Sequence, residues 1–155
     1  MCDHCGCQEF PLIAELTGQH RDIEDVAGML RRAVRGGDHE AARRLLEELT
    51  GLLAPHVAAE EEGLFAELRA EETIRGTVEL LCAEHARLDA ELREPGPGEV
   101  DWTPVLRALD LLFEHIYKEE YGVFPAAVVL LPTEVWDRIT PVRADAPAGA
   151  PERAS

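Results

Sequence analysis

The sequence predicts an all-α protein, an antiparallel up-down four-helix bundle followed by a short C-terminal helix. Three observations lead there. Apolar residues recur at spacings of three and four along four long segments. Short connections marked by Gly, Asp or Pro separate those segments. Aromatic residues are scarce, with 2 Trp, 2 Tyr and 4 Phe in 155 residues, which argues against a β-sandwich. This length suits one domain that buries its core without staples.

Each element has its own signals. Residues 1–10 form a Cys-rich head, MCDHCGCQEF. From Pro11, the positions Leu16, His20, Ile23, Ala27, Leu30 and Val34 make one helical face, ended by Gly36 and Gly37. Asp38 suits the next N-cap. The second helix aligns Leu45, Leu49, Leu52, His56 and Leu64, and Pro55 predicts a kink or break before His56. A third helix over 71–92 aligns Ile74, Val78, Leu81, His85, Leu88 and Leu92. The loop Glu94-Pro95-Gly96-Pro97-Gly98 follows. The fourth helix starts near Asp101 or Thr103, with Pro104 in its first turn, and runs through Leu112 and His115 to Pro125. Residues 133–139 predict the short last helix. The bundle thus covers 11–140, and the Ala/Pro-rich segment 141–155 is expected to be disordered. Trp102 and Trp136 flank the fourth helix and are expected to close the bundle ends.

Charge and cysteine usage narrow the function. With 31 acidic and 15 basic residues the formal net charge is −16, a field that repels phosphate backbones and predicts no nucleic-acid partner. No uninterrupted apolar stretch of about 18 residues is present, so no membrane span is expected. The N-terminus has no charged region followed by an apolar run, which predicts a cytoplasmic protein without a secretory signal. Three of the four cysteines, Cys2, Cys5 and Cys7, sit in the first seven residues, unlike a disulfide scaffold. With His4 they form a candidate zinc or iron site, or a redox thiol pair. Cys82 reads as a small apolar residue.

The histidines carry the chemistry. His20, His56, His85 and His115 fall on the four apolar faces, one per helix, at separations of 36, 29 and 30 residues. In an up-down bundle this returns each ring to a similar height. Four buried imidazoles without partners are costly, and a metal is a shared partner. Each has an acid at i+4, on its own face: Glu24, Glu60, Asp89 and Glu119. His39 has Arg43 there and reads as a surface residue. An internal echo sharpens the pattern: residues 56–65, HVAAEEEGLF, match residues 115–124, HIYKEEYGVF, as H-x3-E-E-x-G-[LV]-F. Mixed imidazole and carboxylate donors suit iron, manganese or zinc, and carboxylates can bridge two ions. Ferritin-like bundles place a Glu three residues before a His, and no His here has that neighbour.

On these residues, over about 11–130, the chain resembles the hemerythrin-like family of HHE cation-binding domains. The resemblance implies a four-helix bundle holding a non-haem di-iron centre with an oxo or hydroxo bridge. Glu60 and Glu119 would bridge, with His20, His56, His85 and His115 as terminal ligands. Glu120 stands as the alternative to Glu119, because the family's oxygen carriers place their last acid five residues after the His. Those carriers use five histidines, and here Asp89 sits one turn beyond His85 in the place of another. Of roughly twelve positions on two six-coordinate irons, about two remain after the bridge, two carboxylates and four histidines. Water, Asp89, Glu24 or Glu61 would fill them. Open positions let O2, peroxide or nitric oxide bind, so the expected role lies in oxidative or nitrosative stress, with catalase-like turnover. The alternative is an iron- or oxygen-responsive sensor module without turnover.

Overall fold

The computed structural model describes residues 6–96 and 100–140; the rest, including Cys2, His4, Cys5 and the 141–155 segment, lie outside the described residues. Among the described residues the only regular elements are helices, without strands. Helices α1 (Pro11–Arg35) and α2 (His39–Ala59) form a hairpin. Gly37, at φ 73, makes the turn, and the Asp38 carboxylate accepts from the Ala41 amide at 3.0 Å to start α2. Helices α3 (Phe65–Leu68), α4 (Glu72–Glu91) and α5 (Thr103–Lys118) follow, then α6 (Phe124–Leu130) and α7 (Thr133–Ile139). The short last helix is where the sequence places it.

Helix α1 packs on α2, α4 on α5, and α1 on α5, closing a bundle. Helices α1 and α5 run in opposite directions: Arg21 reaches Glu120, just past the end of α5, while the later Arg31 reaches the earlier Asp110. Among the described residues, no helix is long and apolar enough to cross a membrane.

Two departures from the expected elements matter. Helix α2 continues through Pro55 to Ala59 without a break. A proline lacks the N–H that would bond the carbonyl four residues earlier; that residue, Gly51, is exposed, so water can take its place. The irregularity lies further on. Residues Glu60–Leu64 and Glu119–Val123 form π-helical turns, in which the Phe65 amide donates to Glu60 O and the Phe124 amide to Glu119 O. Both turns fall in the echoed segments. In α2 the buried apolar stripe is Ala42, Leu46, Leu49 and Leu53, with Leu45 and Leu52 only partly buried, one position off the expected face.

The apolar core has two parts. One joins Ile23, Leu30, Leu49, Leu88, Leu109 and Trp102 toward the α1–α2 turn. The other joins Ile13, Leu16, Phe65, Val78, Phe124 and Trp136 toward α7. Each thus contains one of the two tryptophans. The Trp102 indole donates to Nδ1 of the exposed His39 at 3.0 Å, giving that histidine a structural partner. A buried polar layer lies between the two cores.

Candidate metal centre

The polar layer is built from His20 on α1, His56 on α2, His85 on α4, His115 on α5, and the first residues of the two π turns, Glu60 and Glu119. Both glutamates are completely buried. The imidazole Nε2 atoms point inward. Glu60 Oε1 lies 3.2 Å from His56 Nε2, and its Oε2 lies 3.3 Å from His85 Nε2. Glu119 Oε1 lies 2.9 Å from His115 Nε2, and its Oε2 lies 3.1 Å from His20 Nε2. Each carboxylate therefore spans two rings from different helices. Two donor groups result: His20, His56, Glu60 and Glu119, and then Glu60, His85, His115 and Glu119. Within each group the donor atoms lie within 4.8 Å of one another.

Hydrogen bonding alone leaves this cluster unsatisfied. His20 Nε2 and all four oxygens of Glu60 and Glu119 are buried without a hydrogen-bond partner. Orphaned charged oxygens are costly. His85 and His115 bring their Nε2 atoms to 2.8 Å of each other, a spacing that needs a proton or a cation between them. Burial opposes charging the His20 ring, but Glu119, Glu120 and Glu60 outweigh it and push its pKa up to about 11. Burial likewise opposes charge on His85 and His115, and their glutamate neighbours raise both. Burial would raise Glu60, yet the rings of His20, His56 and His85 hold it well below the usual carboxylate range. Every one of these shifts asks for positive charge at the centre. Imidazole and carboxylate donors are the set that divalent iron, manganese or zinc accepts, so the residues fit a metal.

The outward Nδ1 atoms are held as well. His20 meets Glu120 at 3.0 Å, His56 meets Gln19 at 2.8 Å, His85 meets Glu61 at 2.9 Å, and His115 meets Glu84 at 2.9 Å. An acceptor at Nδ1 takes that nitrogen's proton in the hydrogen bond and fixes the tautomer whose Nε2 lone pair is available to a metal. Phe65 stacks on the His85 ring with centroids 6.0 Å apart, and Phe124 on the His20 ring at 5.8 Å.

The sequence-predicted residues separate accordingly. Glu119, not Glu120, enters the inner cluster. Glu61 and Glu120 orient rings from outside it. Asp89 is 84% exposed and pairs with Arg93 at 3.2 Å, and Glu24 pairs with Arg21 at 2.7 Å; neither reaches the cluster. Both acids that enter it open a π turn, whereas Glu24 and Asp89 sit in regular helix. Gln19 and Glu84 were missed. Their one sequence signal is that each immediately precedes a ligand-type histidine. In the head, Cys7 is buried and disulfide-bonded, and the other candidates Cys2, His4 and Cys5 lie outside the described residues. Cys82 is half-buried, with Arg69 Nη2 at 3.0 Å from its sulfur.

Among comparisons with known proteins, no curated protein and no solved structure matches the chain. The family model for the hemerythrin HHE cation-binding domain matches residues 12–127, which span the four histidines of the cluster and both π turns, and the chain belongs to that family.

Proposed function

We propose that the cluster holds two iron ions and serves a small ligand, O2, peroxide or nitric oxide, in oxidative or nitrosative stress, with catalase-like turnover. Glu60 and Glu119 would be shared by the two ions, with His20 and His56 holding one and His85 and His115 the other. The observation that carries this reading is the pair of four-donor groups sharing two buried carboxylates whose oxygens have no other partner. Bound iron would supply a redox couple and exchangeable coordination positions.

The chain's own residues set what can reach it. A void of about 10 Å³ touches His56, His85 and His115, and its other walls are Ile23, Leu53, Val57, Leu88, Leu112 and Ile116. That is room for one water-sized molecule. Its apolar walls favour a neutral guest and exclude an organic substrate. A larger apolar cleft of about 380 Å³ between α2 and α4 shares Leu53, Val57, His85 and Leu88 with the void, so these side chains form the wall between the outside and the site.

The test is anaerobic loading with Fe(II), elemental mass spectrometry, and then mixing with O2, peroxide and nitric oxide. About two irons per chain with repeated peroxide consumption support the proposal. Reversible O2 binding through many cycles with peroxide untouched would replace it with a carrier. One zinc and little iron would leave the family fold without this chemistry.

A further inference from the structure

The site has an internal two-fold relation. The segment 56–65 supplies His56, bridging Glu60, Glu61 to hold the His85 ring, and Phe65 to stack on it. The segment 115–124 supplies His115, bridging Glu119, Glu120 to hold the His20 ring, and Phe124 to stack on it. The relation extends to the residues just before the two remaining histidines: Gln19 holds His56, and Glu84 holds His115.

The two-fold breaks where the charges are. Gln19 on one side corresponds to Glu84 on the other. Arg21, just after His20, corresponds to Ala86, just after His85. Arg21 Nη2 grips both oxygens of Glu120, at 3.0 and 2.7 Å, and shares one of them with His20. Glu61 has no cationic partner among the described residues other than His85. Lys118 pairs with Glu84 through the oxygen that His115 does not use.

The histidines of one position are thus backed by a neutral amide and an arginine-neutralised carboxylate. Those of the other are backed by two carboxylates, only one of which is paired with a cation. Glu24, on the far side of Arg21, touches neither ring. A carboxylate at Nδ1 makes the opposite nitrogen a stronger metal donor than an amide does.

Resting on the two-ion reading above, we propose that the centre is graded: the His85/His115 position binds its ion more tightly than the His20/His56 position. Gln19 and Glu84 are the positioning residues that set the difference. Iron therefore fills the α4–α5 side first, and the ion on the α1–α2 side is the exchangeable one.

The experiment is stepwise anaerobic Fe(II) titration of the full chain against a competing chelator, with circular dichroism to confirm folding. The wild type should bind two ions with dissociation constants further apart than the statistical factor for equal sites. Gln19→Glu should tighten the weaker ion and Glu84→Gln weaken the tighter one, each by roughly tenfold. Both changes narrow the gap, while Glu40→Gln, at an exposed pair with Arg44, leaves it as it is. The variants act on opposite positions, so one that failed to fold would leave the other to decide. Two equal wild-type constants, or a gap that neither variant moves, overturn the grading while the two-ion centre stands. No ion bound by the wild type would remove the centre and the grading together.

Discussion

Segments 56–65 and 115–124 perform the same task with different surroundings. In each, the second glutamate reaches across to a histidine on a neighbouring helix. Glu61 does so with its side chain 34% exposed, within reach of solvent. Glu120 does so at 6% exposure, with Arg21 locked to it. A buried carboxylate needs a cationic partner because solvent no longer stabilises it, whereas an exposed one manages alone. The same sequence motif therefore yields two rings of different electronic character, and the neighbours rather than the motif decide which.

The largest break in this comparison comes from removing what both segments share. Glu119→Ala takes a donor from each position at once, and metal per chain should fall well below that of wild type by elemental mass spectrometry. His39→Ala should lose none, because that ring serves Trp102; equal loss from both would refute the site.

Glu120→Gln and Glu61→Gln compare the segments directly. Each should cost metal affinity, by about 10- to 100-fold in chelator competition. Glu120→Gln should cost more, since it also leaves Arg21 without its buried partner. The reverse order would mean that exposure does not weaken the Glu61 contact.

Metal removal and pH give a third test. Burial disfavours charge on His20, but its carboxylates raise its pKa from 6.5 to about 11. In metal-free protein its contribution is complete below 6.5 and fades as pH climbs through 11. Glu60, held low, contributes above 4.5 and is lost as pH falls toward its folded value. Metal-free protein should therefore lose thermal stability as pH rises above 6.5. Loaded protein should keep it there and release its ions in acid, where protons compete for the donors. Parallel stability curves for the two forms would contradict this.

The smallest effect concerns the echoed glycines. A Cβ placed on Gly63 or Gly122 meets nothing within 4 Å, and neither has positive φ. Alanine at either position should be neutral or stabilise by about 0.4–1 kcal/mol in denaturant unfolding. Loss of metal from either variant would show that the π turns need glycine.

Much of this was legible in the chain. Helical periodicity is a local property, and it placed four histidines on inward faces and joined Glu60 and Glu119 to them through i,i+4 spacing. It could not tell those two acids from Glu24 and Asp89, which share the spacing but sit in regular helix with arginines beside them. Pro55 does not break α2, because an exposed Gly51 carbonyl makes the missing hydrogen bond cheap.

The sequence by itself determined the four-helix bundle, the donor types and the paired H-x3-E-E-x-G-[LV]-F segments, since each follows from residue identity and short-range spacing. Only the tertiary structure decided which acid lies inward, which nitrogen each ring presents, and which side chain holds the other. Those contacts join residues 24, 31, 37 and 100 positions apart. No periodicity encodes such separations; the packing of one helix against another does.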